Sequence, residues 1–402
     1  MAQADPGRAW GWVAALRSGS TTPWSQWPPD AAPAPALDRD LPGAQQLELL
    51  RRVNLASAAP RPDLAERILA VGATGRGRPD LELPGTSTSR RWGPEPTDPT
   101  DLGAAELLRF VGMLLAEDLA VSGHRELAEE ASGAVTSSRA AATLPARARR
   151  RLRRRAPGHR LVGDPWLVDP LRQVMLAQGH PLGGSRSAVV VIGTDLVTML
   201  ADTYTARAFD DGVAPWHRWL RTGPGDRTLP PRIDLAHVAR HWQEEAGHRR
   251  VVVVTEPRLA TDVLPLRSSA VPDPDQARPS ADAVDLARRV AAALGLLVPR
   301  QERRALLRGV LLPRLLTDNA QHPAPPLTVP EARTSWVVRQ AEQMRDDLLE
   351  AGYAVVGDPE ALVPRTTDRR GAVPDSSGVL DLAIRLLLTG PGRDHRKAEV
   401  EG

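Results

Sequence analysis

No cysteine occurs in the 402 residues, so disulfides, thiolate metal sites and cysteine nucleophiles are excluded together. Lysine is almost as scarce. Lys397, close to the C-terminus, is the only lysine among 52 basic residues, and any mechanism that needs a lysine inside the folded body is closed. Aromatic residues make up 3% of the chain and are mostly Trp, so the cores must be built from Leu, Val and Ala. No run of about 18 apolar residues exists, so no membrane-spanning helix is expected. The stretch Met1–Trp10 lacks the apolar centre of a signal peptide, and a cytoplasmic location is the expectation. Charge of one sign is lacking too: the net charge is +3, a weak overall pull on nucleic acid.

What is present is Arg, Ala and Pro, the usage of a GC-rich genome, over a length that allows roughly two or three domains. Helical apolar spacing is found in Arg8–Leu16, Ala44–Leu55, Asp63–Val71 and Ala104–Leu119, with a Pro-rich linker over Pro28–Pro42 and an irregular connection over Thr74–Asp101. After His159 the pattern changes. Short β-branched runs at Arg160–Val162, Ala188–Ile192, Val251–Thr255 and Tyr353–Val356 are apolar but for Arg160 and Thr255 at their ends, as strands covered on both faces would be. Helical patterns fill the gaps at Pro170–Gln178, Asp195–Ala208, Leu235–Ala246, Ala281–Leu296, Glu302–Leu316 and Pro330–Ala351, with Gly352 as a stop. The alternation predicts an α/β fold with a parallel sheet and helices on both faces, preceded by an α-helical N-terminal domain. The expected division is a helical domain over 1–120, a small-residue and Arg-rich linker over 121–158, the α/β domain over 159–390 and a disordered tail over 391–402.

The order of these elements resembles the sulfotransferase-like proteins common in actinobacteria, which share a P-loop α/β core. The segments that carry the resemblance are Leu161-Val-Gly-Asp-Pro165, Gly179-His-Pro-Leu-Gly183, Val191-Ile-Gly-Thr-Asp-Leu196, Trp216-His-Arg-Trp-Leu220, Val251-Val-Val-Val-Thr-Glu-Pro257 and Gly352-Tyr-Ala-Val-Val-Gly-Asp358. They span roughly 159–390. The resemblance implies a donor loop after the first strand, where backbone N–H groups, a helix N-terminus and a Lys hold a 5′-phosphosulfate.

The positions that would form this site are Gly163, Asp164, Pro165, Trp166 and, opening the second signature, Thr194. They depart from the pattern. Pro165 and Pro170 have no N–H to donate, Asp164 and Asp169 bring negative charge, and Thr194 stands where the family has an Arg. The donor site is therefore expected to be vestigial and no cofactor is expected, 3′-phosphoadenosine 5′-phosphosulfate being taken up only if the site still works. Asp164→Lys is expected to improve nucleotide binding.

Other motifs compete for attention. Arg147, Arg149, Arg150, Arg151, Arg153, Arg154 and Arg155 put seven arginines in nine residues, a candidate polyanion site for nucleic acid or an anionic membrane, or else a solvated linker. Arg17-Ser-Gly-Ser-Thr-Thr-Pro-Trp24 looks like a phosphate loop but follows a helix-like run rather than a strand, which favours a helix stop. His237 and His241 stand at i, i+4 without the Glu that zinc hydrolases place after the first His, and no metal is expected. Arg76-Gly-Arg-Pro79 and Asp273-Pro-Asp275 are read as turns. Trp10, Trp12, Trp24 and Trp27 are expected to dock a helix on its own domain.

Three functions remain in view: a catalytically degenerate scaffold with a protein partner, an active sulfotransferase-type transferase with an unusual donor site, and a polyanion-binding protein acting through the Arg cluster.

Overall fold

The computed structural model describes residues 6–28, 41–57, 62–72, 80–86, 95–137, 158–180, 182–183, 187–222, 229–246, 250–266, 278–365 and 371–390, with no side chains described for 124–137. Four parallel strands, β1 (His159–Gly163), β2 (Ala188–Ile192), β3 (Val251–Val254) and β4 (Ala354–Val356), form one sheet in the order β1-β2-β3-β4. The two most apolar runs are its central strands, as expected. Register sets Leu161 beside Val190 and Val191 beside Val253, so each face carries an unbroken apolar row.

Helices cover both faces. On one lie Leu161, Val190, Ile192 and Val254, against Leu167, Leu171 and Met175 of a helix over Pro165–Ala177. On the other lie Val189, Val191, Val251 and Val253, against Leu235 and Ala239 of the helix Leu235–Ala246 and Val337, Ala341 and Met344 of the helix Thr334–Ala351. The strand order gives this arrangement a consequence. The connections β1–β2 and β2–β3 both step one place in the same direction, yet their helices Pro165–Ala177 and Leu235–Ala246 lie on opposite faces. Two such connections have opposite hands, so one of them is of the left-handed kind that occurs roughly once in fifty.

Numbered along the chain, the α-helices are α1 (Pro6–Arg17), α2 (Ala44–Ala56), α3 (Pro62–Ala70), α4 (Ala104–Ser137), α5 (Pro165–Ala177), α6 (Leu196–Asp210), α7 (Trp216–Thr222), α8 (Leu235–Ala246), α9 (Ala281–Leu294), α10 (Arg300–Leu306), α11 (Leu312–Gln321), α12 (Thr334–Ala351) and α13 (Ser376–Thr389). Local chemistry places their ends. Asp195 accepts the Thr198 N–H at the start of α6, and Gly352, at φ +67°, closes α12 in the left-handed region.

Several expectations shift. α5 begins at Pro165, not Pro170: Asp164 caps it, Pro165 suits its first position, and Pro170 lies inside it. The stretch read as a loop is thus the opening of a helix. α4 runs on from Leu119 to Ser137, and the helix expected over Glu302–Leu316 extends over 300–321 with a π-helical turn at Leu307–Leu311. α13 was not expected, although its Asp375 cap and its Val379, Leu380, Leu382, Ala383, Leu386 and Leu387 spacing are those of a buried helix.

Contacts also divide the chain differently from a boundary near Pro157. One unit combines 1–127, 289–311 and 375–402; the other combines 128–288 and 312–374. The first is helical and includes α13, which packs on α2. Within it Trp12 and Trp24 meet at 5.3 Å between ring centroids, Arg8 lies 4.2 Å over Trp24, and Trp10 is buried too. These aromatics dock the helix on its own unit, as expected. Ser18–Ser20 form the stop of α1, with Gly19 at φ +91° and the Ser20 N–H reaching Ala15 O. The second unit holds the sheet. No helix among the described residues is long and apolar enough to cross a membrane.

Candidate functional site

The expected donor site is filled by the chain itself. β1 ends at Gly163, whose φ of +112° no L side chain adopts readily and whose added Cβ would fall 2.1 Å from Ile192 O. This tight junction sends Asp164 straight to the N-terminus of α5. Its Oδ1 accepts the N–H groups of Trp166 at 2.8 Å and Leu167 at 3.4 Å, and Pro165 offers none. The donors that would hold a phosphate are therefore occupied by a carboxyl that is fully buried. Trp166 is buried, its ring 6.2 Å from that of Phe209. Thr194 is half-buried in the turn between β2 and α6.

The reason for the block differs from simple repulsion. Burial pushes the Asp164 carboxyl well above the usual carboxylate range, and the neighbouring Asp202 pushes it further. Asp164 is thus driven towards its neutral form and excludes an anion by occupancy. Its Oδ2 is buried and accepts no hydrogen bond, which suits a carboxylic O–H turned to Asp202. Burial raises Asp202 as well, but both its oxygens are held by Arg278, Nε to Oδ1 at 2.9 Å and Nη2 to Oδ2 at 2.8 Å, so Asp202 keeps the negative charge of the pair. The other suspect acid, Asp169, pairs with Arg172 at 3.2 Å. Since Asp164 has no exposed surface, a lysine there would have to bury a charge, and Asp164→Lys is not the repair of a binding loop.

Two clefts open beside the sheet. The larger, of about 640 Å³, lies at the carboxyl ends of β2, β3 and β4, where open α/β sheets take ligands. Asp195, Glu256 and Asp358 enter it from the turns after these strands, Glu331 joins them, and among the described residues Arg365 is the one basic side chain in its lining. Glu256 Oε1 accepts the Asp358 N–H at 3.1 Å, and the Thr255 hydroxyl donates to Asp358 O at 3.0 Å, so the two turns are tied together. The sequence reading passed over these acids. Their signal was there: an Asp or Glu stands within three residues after each of three apolar strands.

The second cleft, of about 470 Å³, opens at the β1 end of the sheet and unites residues that the sequence presented separately. Gly163 and Pro165 of the expected donor loop line it together with His237 and His241 from α8, and Arg172, Arg232 and Trp242 complete its wall. Among the described residues no group of His, Asp and Glu is arranged to hold a metal ion. The Arg147–Arg155 cluster, Arg76–Pro79 and Asp273–Asp275 lie outside the described residues. The chain matches no family model, no curated protein and no solved structure.

Proposed function

We propose that this chain is a sulfotransferase-like α/β protein whose donor site has been lost and which serves as a scaffold or interaction partner. One observation carries the reading: the buried Asp164 carboxyl takes the two N–H groups at the head of α5 that a phosphosulfate would need. Each charge-assisted bond of that kind contributes roughly 1.5–3 kcal/mol, and losing these two together with the one that Pro165 cannot offer weakens a micromolar ligand to beyond about millimolar. Among the described residues the larger cleft offers four carboxylates to one arginine, a poor match for a multiply charged phosphate.

Titration calorimetry with adenosine 3′,5′-bisphosphate, the product nucleotide of sulfuryl transfer, tests this at low ionic strength. The expected result is no saturable binding below about 1 mM. A dissociation constant in the low micromolar range overturns the degenerate-site reading and leaves an active transferase with an unusual donor site in its place.

A further inference from the structure

The cleft at the β1 edge carries an assignment that does not depend on the fate of the donor loop. We propose that it binds a small organic anion, a carboxylate, sulfate or phosphate monoester on an apolar body. Its apolar lining is formed by Val162, Val168, Val238 and Trp242, whose ring also carries the Arg160 guanidinium at 4.3 Å. Among the described lining residues the charged and ionisable groups are Arg172, Arg232, His237 and His241, facing one acid, Asp169.

That acid is already neutralised. Arg172 pairs with Asp169 through Nη1 and donates Nη2 to Leu161 O at 2.5 Å, which also fixes the cleft wall to the strand. What remains for a ligand is Arg232 and His237, whose side chains have no hydrogen-bond or ion-pair partner among the described residues. Both are exposed at the rim, where a charged head would keep part of its hydration.

The strand itself supplies a further donor. The Asp164 N–H bonds to Ile192 O, and in a parallel strand alternate residues turn their groups to opposite sides. Gly163 therefore directs its N–H away from β2, to the side on which this cleft opens. An apolar lining with a few convergent polar groups, in a volume of about 470 Å³, matches the usual build of small-molecule sites. A metal is the poorer occupant, since His237 and His241 gain no third ligand among the described residues. Among the described lining residues a cation finds no unpaired acid.

The test uses the full chain and calorimetric titration with phenyl phosphate, phenyl sulfate, benzoate, inorganic phosphate and phenyltrimethylammonium. Saturable binding of at least one aryl anion is expected, at least about fivefold tighter than inorganic phosphate, with no binding of the ammonium. The three aryl probes identify which head group is preferred. Arg232→Gln combined with His237→Gln, both at exposed positions, should weaken the aryl anion by about tenfold or more, while the exposed Arg218→Gln, remote from the cleft lining, should change nothing. Inorganic phosphate binding as tightly as phenyl phosphate, an unweakened double variant, or no aryl-anion binding at 5 mM each overturns the proposal.

Discussion

Arg278 grips Asp202 with two parallel hydrogen bonds, Nε to Oδ1 at 2.9 Å and Nη2 to Oδ2 at 2.8 Å, while only 3% of the aspartate side chain is exposed. The guanidinium ties the middle of α6 to the residues just before α9, and it is the counter-charge to a carboxyl pair that water does not reach. Arg278→Leu leaves Asp202 to bury its charge alone or to take a proton. Removing one partner of such a pair costs about 3–5 kcal/mol. Urea unfolding should show a midpoint lowered accordingly with an unchanged slope; a loss under about 1 kcal/mol contradicts the burial of the charge.

Asp164 and Asp202 should respond differently to amide substitution. Asn at 164 can still accept from the Trp166 N–H and can donate to Asp202, so Asp164→Asn should stay within about 1 kcal/mol of the parent. Asp202→Asn breaks the Arg278 pair and should cost several times more.

The pH dependence carries a definite sign. Folding raises the Asp164 pKa, so above the unfolded value of about 3.9 the native state binds more protons than the unfolded one. Stability then falls as pH rises from there towards the folded value, by up to about 1.4 kcal/mol per unit, and levels off beyond it. Asp164→Asn should remove that contribution. Unfolding free energies of both proteins across pH 4–8 measure it, and parallel curves would rule out a raised Asp164.

Gly163 and Gly352 both have positive φ but differ in surroundings. An added Cβ at Gly163 would strike Ile192 O at 2.1 Å, whereas nothing lies within 4 Å of one at Gly352. Gly352→Ala should cost about 1 kcal/mol, the left-handed backbone alone. Gly163→Ala must part β1 from β2 and should cost above about 3 kcal/mol or abolish folding. Thermal melting of the two variants checks the ranking.

The Arg cluster gives a salt test. If Arg149, Arg150, Arg151, Arg153, Arg154 and Arg155 bound a polyanion, affinity for DNA or anionic vesicles would fall steeply with ionic strength and vanish when all six become Gln. The expected outcome is that parent and variant alike bind neither at about physiological salt, as a solvated linker would. Salt-sensitive binding lost in the variant would revive the polyanion reading.

Sequence patterning made the sheet legible because β2 and β3 are apolar at every position, and a covered parallel strand has few other spellings. Gly352 and the boundaries of α8 were readable for similar local reasons. The start of α5 was not, because Asp-Pro before an apolar run was weighed as a damaged loop, under the pull of a resemblance, when it is also a cap followed by a proline at the first helical position. Asp202 and Arg278 were invisible for another reason. They lie 76 residues apart, and nothing local to either marks a partner. The i, i+4 spacing of His237 and His241 reads as a solvated helix face or a sheet-edge pair rather than a metal site, but their place beside Gly163 follows from the register of β1 and the face taken by α8, which no linear pattern shows.

The helical unit draws on three separate stretches of chain, with the whole sheet unit threaded between them. A ribosome delivers α13 long after α2, which must wait for this partner some 330 residues downstream before that surface closes. Contacts so distant in sequence are slow to form, and the nascent first unit stays incomplete while the sheet unit is still being made. A stop codon just ahead of α13 should therefore injure the unit built around α2, which is translated long before it.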